Sequence, residues 1–354
     1  MDTEHHYAVV IGINRYPGLS DLTGPRKDAE TFHAWLVDEQ GGRVPERNVH
    51  RVLVDPAEEK SFPDSWTARP KSVDVESKLG QINEAFTAAM NADRAIWEQS
   101  RLYVYASGHG VAPSGGAGAL LCANASPKAN FWDMIEFSAV HAWYRSAGLF
   151  KEVLLLADCC REQRPLAPSL GLQLGQPLKS YGNSDLLVAF ATTYAKAAFE
   201  DPDRSRGYFT AALIDGLRGG AADPGTGEIR ADKLSMYIAD HVHEMTHGQA
   251  YEQTPDFPIN NPRDPMVVRP GLGELPQLSR KMTLRFPAGY AGRVRLQRDR
   301  ADVRTWDPAQ GPWTLDLPEA DYTIGPVNGG KAFANGGAFR VIARNSELAL
   351  QVAA

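Results

Sequence analysis

Short apolar runs that alternate with helical patterns constrain the fold of this chain more than any other sequence feature. Tyr7–Ile13 is continuously apolar and rich in β-branched residues, which is typical of a strand buried on both faces. Further strands are predicted at Val49–Val54, Arg101–Ala106, Val153–Ala157 and Leu186–Ala191, and helices at Asp28–Glu39, Val73–Trp97, Ser138–Ala147, Tyr208–Leu217 and Ala231–His247. This order predicts an α/β fold with a mostly parallel sheet flanked by helices.

The pattern changes near residue 255. Six prolines fall within Pro255–Pro276, which we interpret as linker sequence. Short β-like runs follow it without a helical pattern, starting at Met282–Phe286 and ending at Leu348–Val352. We therefore predict one domain over residues 1–268, a linker over 269–278 and a small all-β, sandwich-like domain over 279–354.

The composition narrows the range of functions. A formal net charge of −6 argues against a protein held to nucleic acid mainly by phosphate contacts. The chain has three cysteines, Cys122, Cys159 and Cys160. Because their number is odd and two of them are adjacent, they do not form a disulfide framework. No segment approaches 18 consecutive apolar residues, and Met1–His6 lacks an apolar signal core. We expect a soluble cytoplasmic protein with no membrane or nucleic-acid partner.

Two strand ends carry chemically reactive groups. Ser107-Gly108-His109-Gly110 follows one predicted strand and Asp158-Cys159-Cys160 follows another. In a parallel sheet, ligands bind outside the carboxyl ends of the strands, where both motifs lie. A thiol attacks as thiolate and needs a base, and imidazole suits that role near neutral pH. The pair therefore predicts His109 and Cys160 as catalytic residues, with backbone N–H groups at Gly110 and Cys160 as oxyanion donors.

These motifs resemble the caspase clan of cysteine peptidases, and most closely its metacaspase and bacterial caspase-like branch. The similar segments are Ala8–Tyr16, Lys27-Asp28-Ala29, Ser107–Gly110, Asp158–Cys160 and Gly207–Leu213, spread over residues 5–268. The likeness to the branch's Asp-Ser-Cys places the nucleophile at Cys160 rather than Cys159. The resemblance implies a protein substrate and an endopeptidase that needs no cofactor.

The sequence also departs from that branch. Arg161-Glu162-Gln163 stands where the branch usually has His-Ser-Gly, and the Cys-Arg step is closer to animal caspases. The acidic calcium-binding stretch of many metacaspases is not evident between His109 and Cys160. We therefore expect no metal at the site, and calcium dependence stays open.

The resemblance also places Asp28 and Asp158 beside the nucleophile, with Ser107 next to them. Two carboxylates in a confined pocket favour a guanidinium or an ammonium group. We therefore predict cleavage after Arg or Lys. The alternative for Asp28 is that it merely caps the helix that it begins.

Two other functions remain open. His243-Glu244-Met245-Thr246-His247 matches the HExxH pattern of zinc peptidases, although a third ligand is not obvious among Glu252 and Glu274. A catalytically silent caspase-like scaffold that only binds partners is the second alternative.

Loops rich in glycine and proline suggest how activity is controlled. Arg161–Asn183 directly follows the nucleophile and contains Arg161, Arg164 and Lys179, while Asp201–Gly207 contains Arg204 and Arg206. Long loops beside a nucleophile often act as lids. Family members are commonly activated by cleavage there, so we predict activation by self-cleavage or by a related activating protease. The C-terminal β-domain is a candidate site for a regulatory partner.

Overall fold

A computed structural model describes most of the 354-residue chain. The described residues are 2–54, 56–113, 118–163, 180–201, 206–223, 226–249, 252–260, 266–269, 279–298, 300–310, 313–318, 320–327, 331–341 and 346–353. They belong to two compact units, which span Met1–Glu274 and Leu275–Ala354.

The first unit contains six helices and thirteen strands in its described part. The helices are α1 (Pro25–Val37), α2 (Pro56–Glu59), α3 (Ser72–Ala92), α4 (Phe137–Ala147), α5 (Tyr208–Asp215) and α6 (Ala231–Thr246). The strands are β1 (His6–Gly12), β2 (Val49–Val52), β3 (Arg101–Gly108), β4 (Gly110–Val111), β5 (Ala119–Leu121), β6 (Met134–Glu136), β7 (Glu152–Cys159), β8 (Asp185–Phe190), β9 (Glu200–Asp201), β10 (Arg206–Gly207), β11 (Ile229–Arg230), β12 (Asp256–Asn260) and β13 (Val267–Arg269).

Six of these strands form the central sheet, in the order β12-β8-β7-β3-β1-β2. Every neighbouring pair is parallel except β12 with β8, which is antiparallel. The predicted mostly parallel sheet is therefore confirmed. Because the strands of such a sheet are buried on both faces, β1 and β3 are apolar along most of their length.

Helices cover both faces of this sheet. On one face, Phe86 of α3 stacks on Phe150 with ring centroids 4.5 Å apart, within a core that includes Val9 and Val104. On the other face, Phe32 of α1 stacks on Tyr105 at 4.5 Å. The apolar helical spacing of α1 and α3 thus matches the sides that they bury.

Part of the proline-rich segment is not a linker. Pro255–Pro276 includes β12 at the edge of the central sheet and β13, which pairs with β11. Pro258 is tolerated because proline is compatible with an edge strand. The buried guanidinium of Arg101 donates to the carbonyls of Val267 and Val268 at 2.6–2.7 Å, which holds β13 to this unit.

Smaller differences concern element ends and loops. The predicted helix Val73–Trp97 ends at Ala92 and continues as a 3-10 segment over Arg94–Gln99. The Gly-rich stretch Val111–Ala119 includes residues 114–117, and the loop Arg161–Asn183 includes residues 164–179, both outside the described part of the chain.

The second unit is built from β-strands in its described part. Their bounds are β14 (Ser279–Arg285), β15 (Val294–Arg298), β16 (Ala301–Trp306), β17 (Trp313–Pro318), β18 (Ala320–Pro326), β19 (Ala338–Val341) and β20 (Ser346–Ala349). They form sheets in the orders β17-β14-β20 and β16-β15-β18-β19, which share a core that includes Leu284, Leu296 and Ile324. The predicted linker over 269–278 lies outside the described residues beyond Arg269.

Among the described helices, none has the length and apolar character required to cross a membrane.

Candidate active site

The two reactive motifs lie at the same edge of the central sheet. β3 and β7 are parallel neighbours, and their register pairs Ser107 with Asp158 and Gly108 with Cys159. The residues that follow, His109 and Cys160, therefore emerge side by side. A cavity of about 130 Å³ opens there. Its lining includes His109, Cys160, Asp28, Ser107, Asp158, Ala198, Phe199 and Gly207.

Tyr16 and Ser20 fix the position of His109. The Tyr16 hydroxyl accepts a hydrogen bond from the His109 backbone N–H at 3.0 Å and donates to the Leu121 carbonyl at 3.1 Å. The His109 Nε2 lies 2.8 Å from the Ser20 carbonyl oxygen. Because a carbonyl only accepts hydrogen bonds, Nε2 carries the proton in this contact. The neutral tautomer then leaves Nδ1 unprotonated and able to act as a base.

The thiol of Cys160 is partly buried beneath the segment around Ala198. The Ala198 backbone N–H donates to the Cys160 Sγ at 3.2 Å, and the thiol lies 3.6 Å from the Ala198 carbonyl oxygen. Burial raises the pKa of the Cys160 thiol, and the Ala198 N–H only partly opposes this because it favours the thiolate. In this arrangement the thiol is therefore the favoured form.

A buried glutamine holds the segment that covers Cys160. Gln253 is fully buried, and its Oε1 accepts from the Phe199 backbone N–H at 2.9 Å. Its Nε2 donates to the Ala191 carbonyl at 2.9 Å. The amide therefore links the covering segment to the end of β8.

The three cysteines differ in accessibility. Cys122 and Cys159 are fully buried, and burial is the main cause that raises the pKa of each thiol. Cys160 is partly exposed and lies on the cavity. Since reactive cysteines need access to solvent or substrate, the structure favours Cys160 over Cys159 as nucleophile.

Asp28 and Asp158 lie on either side of Gly207, the glycine that directly precedes α5. The Asp28 Oδ2 accepts from the Gly207 backbone N–H at 3.0 Å and from the Ser107 hydroxyl at 3.4 Å. The Asp158 Oδ2 accepts from the Thr210 backbone N–H at 3.0 Å and from its hydroxyl at 2.6 Å. A Cβ on Gly207 would overlap the Asp158 carboxylate, so only glycine allows this approach.

A guanidinium group already lies near this carboxylate pair. The Nε of Arg206 is 3.8 Å from the Asp28 Oδ1, and the Arg206 side chain is 21% exposed. Asp28 lies in the first turn of α1, but the N-cap of that helix is Gly24, without a side-chain cap. The Ser107 and Gly207 partners of the Asp28 carboxylate both line the cavity.

Gly110 packs against the backbone of Cys160. A Cβ at this position would overlap the Cys160 carbonyl oxygen and lie 2.8 Å from the Cys159 Sγ. Gly110 also pairs with Leu120 in the sheet β4-β5-β6. Glycine is therefore required for close approach, and the oxyanion role of its N–H stays a prediction.

Several supporting residues are not found by sequence reasoning. Tyr16 ends a segment that resembles the family's first strand, yet its contact with His109 joins residues 93 positions apart. Gln253 belongs to no sequence motif that would have indicated its role. Arg161, counted above as a loop residue, is 1% exposed, pairs with Asp256 at 2.5 Å and lies over the Phe190 ring at 4.2 Å.

The residues of the HExxH motif are not part of the cavity lining. His243 and His247 form an exposed group with Glu252, whose ligand atoms all lie within 4.8 Å of one another. Glu244, the expected general base of a zinc peptidase, is not in this group.

Comparisons with known proteins agree with this architecture. The family model of the caspase domain matches residues 5–267. A probable protease of a Desulfuromonadales bacterium is 28% identical over 225 residues, which cover 60% of this chain and 26% of that protein. The chain thus spans about a quarter of the length of this relative.

Two solved structures are similar to this chain. Caspase-1 from Spodoptera frugiperda aligns with a TM-score of 0.48 at 15% identity, over 77% of this chain and 93% of that one. A protein from Geobacter sulfurreducens aligns with a TM-score of 0.43 at 13% identity, over 76% and 98%. The match to the family model decides the class: this chain belongs to the caspase family of peptidases.

Proposed function

We propose that the protein is a cysteine endopeptidase of the metacaspase-like type, in which Cys160 is the nucleophile and His109 the base. The observation that carries this proposal is the convergence of both side chains on one cavity at the ends of paired strands. The orientation of His109 supports it, because the contact between Nε2 and Ser20 leaves Nδ1 as the basic atom.

The proposed reaction proceeds by acyl transfer. His109 Nδ1 takes the thiol proton, and the Cys160 thiolate attacks the carbonyl carbon of the scissile peptide bond. The backbone N–H groups of Cys160 and Gly110 stabilise the oxyanion. The intermediate collapses to a thioester as the imidazolium gives its proton to the leaving amine, and water then releases the carboxylic acid and the thiol.

The proposed specificity is for Arg or Lys before the cleaved bond. Asp28 and Asp158 place two buried carboxyl groups on the cavity beside the nucleophile. The position of Arg206 supports this chemistry, since a guanidinium of the chain itself lies near Asp28. Binding a cationic side chain offsets the cost of holding two carboxylates out of water.

We further propose that cleavage of the chain's own loops controls activity, either by the protein itself or by an activating protease. The segment over Cys160 supports this idea because it covers the thiol. We also propose that the C-terminal β-domain binds a regulatory partner.

The decisive test compares Cys160→Ala with Cys159→Ala and His109→Ala in a peptide-cleavage assay. Cys160→Ala and His109→Ala should abolish cleavage with the fold retained by circular dichroism, whereas Cys159→Ala should retain it. Cleavage that survives Cys160→Ala but is lost on adding a zinc chelator would favour the HExxH alternative. No cleavage of any peptide by the parent protein, cut or uncut, would favour the silent scaffold.

A further inference from the structure

The carboxyl end of α6 presents two imidazoles on one face. His243 and His247 are one helical turn apart, and their ring centroids lie 5.2 Å from one another. The His247 backbone N–H donates to the His243 carbonyl at 2.7 Å, so the helical spacing is kept up to His247. Two histidines four residues apart on a helix can bind the same metal ion.

A carboxylate from the next segment completes a set of three ligands. The Glu252 Oε1 lies 3.2 Å from the His247 Nδ1. The ligand atoms of His243, His247 and Glu252 all lie within 4.8 Å of one another. Tetrahedral zinc with bonds of about 2.1 Å holds its ligand atoms roughly 3.4 Å apart, so small rotations of these exposed side chains are sufficient.

Buried hydrogen bonds hold the backbone that carries Glu252. The Gln253 backbone N–H donates to the Thr246 hydroxyl at 3.1 Å, and that hydroxyl donates to the Val242 carbonyl at 2.8 Å. Thr246 and Gln253 are both fully buried. The backbone next to Glu252 is therefore tied to the end of α6 before any ion binds, which lowers the ordering cost of binding.

We propose that His243, His247 and Glu252 form a binding site for a divalent cation of the zinc class, separate from the catalytic cavity. Two imidazoles and one carboxylate suit Zn²⁺, whereas Ca²⁺ and Mg²⁺ prefer oxygen ligands only. Water would fill the remaining coordination positions because all three residues are exposed.

The site also lies beside the residue that holds the segment over Cys160. Gln253 follows Glu252 directly, and its side chain binds the Phe199 backbone N–H. An ion bound to Glu252 would therefore restrain the backbone next to Gln253. Its role is therefore structural or regulatory, and the HExxH glutamate, Glu244, has no part in it.

The test uses untagged protein carrying Cys160→Ala, which removes the one partly exposed thiol as a competing ligand. Zn²⁺ is titrated against a chromophoric chelator, and one equivalent should bind. His243→Ala, His247→Ala and Glu252→Gln should each weaken binding at least tenfold, since even residues that only support ligands cost about 10–100-fold when changed. Glu244→Gln, on the same helix, is the matched control and should leave the affinity unchanged.

Two further measurements separate this site from others. Co²⁺ should give visible absorption bands without the near-ultraviolet band of a cobalt–thiolate bond. Zn²⁺ should raise the melting temperature of the parent protein and not that of His247→Ala. The proposal is overturned if Zn²⁺ binding survives both histidine substitutions or if Glu244→Gln abolishes it.

Discussion

The backbone N–H of Ala198 lies 3.2 Å from the Sγ of Cys160. The segment that contains Ala198 also shields the thiol from water. The hydrogen bond from Ala198 favours the thiolate, whereas the loss of water disfavours it. Burial raises the pKa of the Cys160 thiol and outweighs the hydrogen bond, which lowers it. The structure therefore shows a covered Cys160 thiol that is mainly protonated near neutral pH.

This arrangement predicts slow alkylation of Cys160 by iodoacetamide at neutral pH. Only the thiolate reacts, so the rate should rise with pH and its midpoint should lie above the ordinary thiol pKa of about 8.5. The rate is followed by intact mass, with Cys160→Ala as the background, because Cys122 and Cys159 are fully buried. A midpoint well below 8.5 would contradict the prediction.

Loosening the covering segment should accelerate that alkylation. Gln253→Ala removes the acceptor for the Phe199 N–H. Because desolvation is the largest cause of the raised pKa, admitting water should lower the pKa of Cys160 even if the Ala198 bond weakens. We expect faster labelling of Cys160 at pH 7.5. The melting temperature, measured in parallel, shows whether the variant is folded. Unchanged labelling in a folded variant would show that this segment does not control access.

The specificity prediction depends on Asp28 and Asp158. Fluorogenic peptides should be cleaved after Arg or Lys and little after Asp. Asp28→Asn and Asp158→Asn should each lower kcat/KM for basic peptides by roughly 10–100-fold, because a hydrogen bond to a charged group contributes about 1.5–3 kcal/mol. Glu39→Gln, an exposed change after α1, is the control. Efficient cleavage after Asp would refute the acidic pocket while leaving the nucleophile assignment intact.

The sequence predicts the sheet well because each strand is recognisable from the apolar pattern of a few neighbouring residues. β1, β3 and β7 are apolar along most of their length, and their parallel order brings His109 and Cys160 to one edge. β12 is missed because Pro258 argues against a strand, whereas its position at the sheet edge removes that penalty.

The residues that support the site are harder to find because their contacts are distant in sequence. Gln253 reaches Phe199 across 54 positions, and Arg161 reaches Asp256 across 95. In the sequence, Arg161 follows Cys160 and is typical of a surface loop, but in the folded protein its side chain is buried. Only the tertiary structure reveals that pairing.

The buried ion pair of Arg161 should contribute strongly to stability. Its guanidinium is 1% exposed, while Asp256 is 33% exposed. Arg161→Gln leaves Asp256 without this partner, and breaking such a pair costs about 3 kcal/mol. Arg47→Gln, at a surface pair with Glu4, should cost less than about 1 kcal/mol. Denaturant unfolding of both variants measures the difference, and equal costs would contradict this account.

Self-cleavage is expected to activate the protein. Arg206 lies in the short strand β10, and Arg204 precedes it by two positions in the sequence; Arg164 and Lys179 follow Cys160 in the sequence. Arg161 is excluded as an early cleavage site because its side chain is buried. Incubation of the purified protein should produce fragments that end at Arg164, Lys179, Arg204 or Arg206, with activity rising in step with the loss of intact mass. Cys160→Ala should stay uncut alone and be cut when active protein is added, which distinguishes self-cleavage from a contaminating protease.

Substituting Arg204, Arg164 and Lys179 with glutamine should slow both cleavage and activation. If the uncut chain is fully active and these substitutions change nothing, activation by cleavage is wrong, and the segment over Cys160 must then be displaced by substrate itself.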